Sequence, residues 1–305
     1  MHGSPWAHQG GRRAGAKGAF RGAAAAIEIV TDRRLTAAND RVAAQALRGQ
    51  VDATSYVVGQ TCQVTVPVAD LCATPNGLRD RQLLLGDMVQ LFEVRAGWGF
   101  VQSEKDGYVG YLAASQYDAP QVPTHWVRAA ATHLYPEADF KTPETTGLSL
   151  GAHVTVGGTH GAFSQTRFGW IPSVHLSARS ARPNDLVAVA EQLLGTPYLW
   201  GGNSRNGIDC SGLVQLACHI CGFKCPADSD LQAASLGSEI AVPTATRRGD
   251  LVFWKGHVAW VVDASWLLHA NAGHMSTVYE LRTAAIDRIA AQGDGPVTLC
   301  RRLNK

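Results

Sequence analysis

The residues best suited to chemistry are Cys210, in the run DCSGLV, and two histidines downstream, His257 and His269. A thiol with an imidazole beside it can attack a carbonyl and pass its proton to a leaving amine. Residues 195–214, GTPYLWGGNSRNGIDCSGLV, begin with a proline, two aromatics and a glycine pair, which read as an irregular loop. Asp209 is suited to cap a helix whose apolar run begins at Leu213 and Val214. Cys210 then falls in the first turn, where unpaired amides and the positive end of the helix favour a thiolate. Such a position can lower a thiol pKa from ~8.5 to roughly 3.5–7.5. The plainer alternative for one cysteine is a small buried hydrophobe. The setting of the two histidines decides between these.

The segment RRGDLVFWKGHVAWVVD reads as a strand, a turn at Lys255-Gly256, and a second strand opened by His257. SWLLHANAGHM reads as a further strand that ends at His269. One strand-end histidine can serve as general base, and a polar residue on the neighbouring strand can hold its imidazole in the working tautomer. His274 is a nearby rival for that third role, but it lies past a glycine in a loop.

These residues sit in a chain of 305, long enough for two or three domains and a substantial core. With 46% hydrophobic and 17% charged residues the composition is that of an ordinary globular protein. A net charge of +2 points to neither a nucleic-acid binder nor a polyanion scavenger. No apolar run approaches the ~18–20 residues of a membrane span, so no membrane partner is expected. Seven cysteines, an odd number spread through the chain, do not make a disulfide scaffold and fit a reducing compartment. Cys218, Cys221 and Cys225, with His219, have spacing that suggests zinc or an iron–sulfur cluster. However, the first two cysteines fall on the helix after Cys210, the third sits before a proline, and there is no second ligand pair. No metal or other cofactor is therefore expected. Cys62, Cys72 and Cys300 lie in β-like runs and read as buried thiols.

Taken in order, residues 1–28 are rich in glycine, alanine and arginine and read as a disordered extension. AAAAI is too short for the ~7–15 apolar residues of a secretory signal, and no adequate apolar region comes after the Arg12-Arg13 pair. Residues 29–54 form an N-terminal helical region, with an amphipathic helix expected over residues 31–49. The texture then changes to short β runs containing an internal repeat. Leu85-Gly86 aligns with Leu150-Gly151, Phe100 with Phe163, and Gly110-Tyr111 with Gly169-Trp170. The repeat predicts two small β-barrels, over residues 55–117 and 122–178, joined by APQVPTH. SARSARPND links them to a third domain, residues 183–305, whose first helix is expected over residues 185–194.

GTPYLWGG, DCSG, GDLVFW, GHVAWV and LLHA, in that order, resemble the NlpC/p60 cysteine peptidases, and the two barrels resemble bacterial SH3-like domains. The resemblance implies two all-β SH3-like barrels followed by an α+β papain-like domain. It implies Cys210 as nucleophile, His257 as general base and His269 as the orienting third member. Tyr198 matches a tyrosine that helps position the reacting carbonyl. Asp209 resembles an aspartate that binds a free substrate amine, Asp228 and Ser229 an Asp-Ser pair on the wall of the same cleft, and Ser211 a cleft serine. Tyr108 matches a tyrosine of the first SH3-like domain that reaches the cleft, and Asp87 stands where relatives commonly have glutamate. The activity implied is hydrolysis of the γ-D-glutamyl–diamino acid bond in murein peptides with a free N-terminal L-Ala, in cytoplasmic wall-peptide recycling. Two alternatives are a secreted wall hydrolase that holds peptidoglycan with its SH3-like domains, and a binding protein without catalysis. The first lacks an adequate signal. The second would lack a catalytic residue, and all three are present.

Overall fold

The computed structural model describes residues 32–241 and 246–304. The extension expected over residues 1–28 lies outside the described residues. The helix expected over residues 31–49 does not form. In its place are a turn at residues 33–35, a short strand Val42–Ala44 and a single 3-10 turn Gln45–Leu47. Local side chains explain the difference. Asp32 Oδ1 accepts from Arg34 N, and Asn39 Oδ1 accepts from both Arg41 N and Val42 N, each at 2.9 Å. Such short-range bonds compete with a helical ladder. Val42–Ala44 pairs in parallel with Ser55–Val57, and Ala37 and Val42 bury their apolar surface against Phe100 and Val109.

The first β lobe is a seven-stranded antiparallel sheet. Its spatial order is Arg79–Leu84, Val68–Cys72, Val109–Ala113, Trp98–Ser103, Met88–Arg95, Gln60–Val64 and Tyr117–Asp118. Val64, Leu71, Leu83, Val101 and Leu112 fill its interior. The second β lobe folds three smaller sheets, from His125–Val127 to Leu176–Ala178, around Val127, Leu134, Leu148 and Ile171. The repeated Leu-Gly pairs mark equivalent turns, since Gly86 and Gly151 both adopt φ +85°. A Cβ on Gly86 would lie 2.2 Å from the His153 carbonyl oxygen, and one on Gly151 2.6 Å from Leu216 Cδ1. Glycine therefore serves both the turn and a close approach between lobes.

The third lobe wraps four helices around a six-stranded antiparallel sheet. The sheet order is Ser238–Ile240, Leu299–Arg302, Asp250–Trp254, His257–Val261, Trp266–Asn271 and Ser276–Leu281. The helices are α1 (Leu186–Glu191), α2 (Cys210–Cys221), α3 (Ser229–Ser235) and α4 (Arg282–Gln292). α1 stops short of residue 194 and gives way to a turn ending at Gly195, φ +74°. α2 is buried on nearly every face and ends at Gly222, φ +90°, a left-handed cap. Leu84, Trp126 and Leu150 from the β lobes join its core, so the lobes share one apolar interior.

Candidate active site

Asp209 sets the start of α2. Its Oδ1 accepts from Gly212 N at 2.7 Å and Ser211 Oγ at 3.0 Å, and its Oδ2 accepts from Gly201 N at 2.9 Å. Gly212 lets the preceding loop approach this helix end, because a Cβ there would stand 2.6 Å from the Gly202 carbonyl oxygen. Cys210 is thereby held as the first helical residue, against the strand opened by His257, where the Val258 amide reaches its sulfur.

A hydrogen-bonded chain runs away from that strand end. His257 Nε2 lies 2.9 Å from His269 Nδ1, and His269 Nε2 lies 2.8 Å from Glu280 Oε2. Arg288 on α4 donates to both Glu280 oxygens, at 2.9 and 2.7 Å. Burial works against the Glu280 charge, but bonds from Arg288 and His269 outweigh it and hold the carboxyl well below the usual range. A charged Glu280 must accept, so His269 carries its proton on Nε2 and accepts at Nδ1 from His257 Nε2–H. Nδ1 of His257 is left with a lone pair. His274 is engaged elsewhere, with both its amide and its Nδ1 on Asn271 Oδ1.

The sequence predicts a lowered thiol pKa at Cys210, and the structure gives the opposite. Burial pushes the thiol up to about 12, the Asp209 charge adds to this, and the amides of Val258, Ser211 and Cys210 offset only part. Burial likewise takes His257 down to about 3, helped by the charges of His269 and Arg288. The resting pair is a neutral thiol and a neutral imidazole.

A cleft of about 310 Å³ opens over Cys210. The structure brings Tyr198, Asp209, Ser211, Asp228, Ser229 and Tyr108 to its walls together with the cysteine. Tyr108, from the first β lobe, donates to Asp228 Oδ2 at 3.3 Å. Asp87 is not brought there. It is buried elsewhere, where its Oδ2 accepts from Leu84 N at 2.9 Å and Lys105 Nζ at 2.5 Å. In LLLGDMV the short carboxylate folds back across its own turn. The first lobe instead sends Asp80 to the cleft, beside Arg33 Nη1 at 2.8 Å.

Sequence reasoning missed Asp80, Arg33, Arg34 and Asp230 in the cleft, and Glu280 and Arg288 behind it. Arg34 binds Asp228 Oδ2 at 2.6 Å and Asp230 Oδ2 at 2.7 Å, across 194 and 196 residues of chain. Nothing local in TDRRLT signals that. Glu280 did carry a signal: it is a charged residue in the strand STVYEL, with Arg288 eight residues on.

A model of the NlpC/P60 family matches residues 195–291, and a model of the bacterial dipeptidyl-peptidase Sh3 domain matches residues 71–116. The chain is 34% identical over 99 residues to dipeptidyl-peptidase 6 of Lysinibacillus sphaericus, a match covering 32% of this chain and 36% of that protein. It is 27% identical over 241 residues to the gamma-D-glutamyl-L-lysine dipeptidyl-peptidase of Bacillus subtilis, covering 68% of this chain and 80% of that one. The crystal structure of an NlpC/P60 family protein from Bacillus cereus superposes with a TM-score of 0.68 at 19% identity, over 80% of this chain and 99% of that chain, and so shares the fold. SH3-like β lobes followed by a papain-like α+β lobe account for the architecture, and the chain carries an NlpC/P60 cysteine peptidase domain together with a bacterial dipeptidyl-peptidase Sh3 domain.

Proposed function

We propose that the protein is a cysteine peptidase that hydrolyses the γ-D-glutamyl–diamino acid bond of murein peptides bearing a free N-terminal L-Ala. The observation that carries this reading is the charge around the Cys210 cleft. Four carboxylates, Asp80, Asp209, Asp228 and Asp230, line it against two guanidiniums, Arg33 and Arg34. An excess of acid beside a buried thiol favours a substrate that ends in an ammonium. In this mechanism Cys210 Sγ attacks the γ-carbonyl carbon while its proton passes to His257 Nδ1. The C–N bond then breaks, the leaving amine takes that proton, and the L-Ala–D-Glu unit remains as a thioester. Water adds to the thioester, His257 accepts its proton and returns it to the sulfur, and the dipeptide leaves. The Cys210 amide and the Tyr198 hydroxyl are the donors assigned to the oxyanion, each worth about 3–4 kcal/mol in comparable sites.

The wall formed by Tyr108, Asp80 and the Arg34 clamp closes the cleft beyond the substrate amine. It thereby excludes stems still joined to sugar, which suits recycling of free wall peptides. Seven free thiols suit a cytoplasmic setting for that role. Mass spectrometry of L-Ala-γ-D-Glu-diaminopimelate incubated with the protein should show release of L-Ala–D-Glu, abolished by Cys210→Ala. N-acetylating the L-Ala leaves a buried carboxylate unpaired, a cost of a few kcal/mol, so kcat/KM should fall by about 100-fold or more. Equal rates on the free and acetylated peptides would refute the amine pocket.

A further inference from the structure

A second cavity, of about 160 Å³, opens where the two β lobes meet the peptidase lobe, and it shares no residue with the Cys210 cleft. Its polar lining comes from separate stretches of chain: Lys105 from the first lobe, His153 from the second, Arg179 and Arg182 from the linker, and His219 from α2. Asp87 is the single carboxylate among the lining residues, and Lys105 already neutralises it at 2.5 Å. Among the described residues Arg182 Nη1 donates only to backbone carbonyls, those of His219 at 2.7 Å and Ile220 at 3.3 Å, and no carboxylate there offsets its charge. The exposed Arg179 guanidinium forms no side-chain hydrogen bond or ion pair among the described residues.

Two atoms here stand out. His153 Nδ1 and His219 Nε2 are buried and have no hydrogen-bond partner among the described residues. Buried polar nitrogens are rarely left so, and both of these belong to residues that line the same cavity. The local field is positive. Burial lowers the pKa of both histidines, and the charges of Lys105, Arg179 and Arg182 lower His153 further, against Asp87. His219 is taken down to about 4 by burial and then by Lys105, with Arg81 adding and Asp106 and Asp87 opposing. Leu84, Trp126, Leu216 and Ile220 supply an apolar wall.

We propose that this junction cavity binds a phosphate group, carried either by inorganic phosphate or by a small phosphate monoester whose organic part lies on the apolar wall. Two uncompensated guanidiniums match a dianion. The donors also converge from four segments rather than one plane, which suits a tetrahedral oxyanion better than a flat carboxylate. Neutral imidazoles supply N–H donors once their tautomers are set by the ligand. An occupant would tie both β lobes to α2, the helix whose first residue is Cys210.

The test uses the full chain. Thermal unfolding and isothermal titration would be run with inorganic phosphate, glucose 6-phosphate and succinate at matched ionic strength. A phosphate species present at 100 times its Kd should raise the unfolding midpoint by about 4 °C. Tighter binding of the ester identifies that source, and equal binding identifies the free ion. Arg179→Gln and His219→Gln should each weaken binding about tenfold or more, while Arg128→Gln, outside this cavity, should not. If His219→Gln fails to fold, the exposed Arg179 carries the test. The proposal is overturned if neither phosphate species binds saturably, if succinate binds as tightly, or if folded Arg179→Gln binds phosphate unchanged.

Discussion

Each proton in the active-site chain has one place to go. Glu280 can only accept, so its charge orders His269 and, through it, His257, whose Nδ1 is left as the basic nitrogen. Glu280 touches no reacting atom, so it is a positioning residue. Glu280→Gln should lower kcat by about 10- to 100-fold, part of the roughly 10²–10⁴ that general acid–base catalysis contributes, with KM within about twofold. An unchanged kcat would remove Glu280 from the mechanism. The thiol makes a second prediction. Because Cys210 is pushed up to about 12, its thiolate fraction in the free enzyme grows as pH rises toward that value. Alkylation by iodoacetamide should therefore still be climbing at pH 9–10 instead of levelling near neutrality. A plateau below pH 8 would mean a preformed thiolate–imidazolium pair.

At the scale of elements, α2 carries Cys210, the proposed nucleophile, and its cap has two roles that pull apart. Asp209 holds three donors in place, yet its charge also raises the thiol pKa. Asp209→Asn should weaken the cap by about 0.5–2 kcal/mol, seen as a lower melting temperature. It should also speed alkylation of Cys210 at a given pH while slowing turnover of the free-amine peptide. Slower alkylation together with slower turnover would mean that the cap's geometry, not its charge, governs the thiol. The start of α2 was legible in the sequence because an aspartate before Cys210 marks it locally, and in the structure the glycine after Cys221 closes its other end. The stretch from residue 31 to 49 was misread for the same kind of reason. Its Ala, Leu and Val spacing suits a helix, but Asp32 and Asn39 capture the amides and a distant β lobe offers the apolar surface. Asp87 failed through reach, and Asp80 lines the cleft instead, with its carboxylate on Arg33, 47 positions away.

For the whole molecule, the β lobes are part of the catalytic body rather than appendages on a linker. Arg81, on the first lobe, is buried and bonds both Asp106 of that lobe and Gln215 of α2. Gln215 returns a bond to Asp106 at 2.9 Å, and Asn203 N donates to Gln82 Oε1 at 3.2 Å across the same boundary. On the other side, Arg205 N donates to Ser149 Oγ of the second lobe at 2.9 Å. The partners across the lobe boundaries could not be paired from spacing alone, since they lie 56 to 134 positions apart. A shared apolar core and buried polar ties predict one cooperative unfolding transition for all three lobes. Arg81→Met puts this to the test, because it leaves the Asp106 carboxylate buried without its cation. Breaking such a pair costs about 3–5 kcal/mol, which in a chain of this size lowers the midpoint by roughly 5–8 °C. The whole transition should move together in calorimetry. If instead a small early transition separates and the main one stays where it was, the first lobe folds on its own and its hold on α2 contributes nothing to the peptidase lobe.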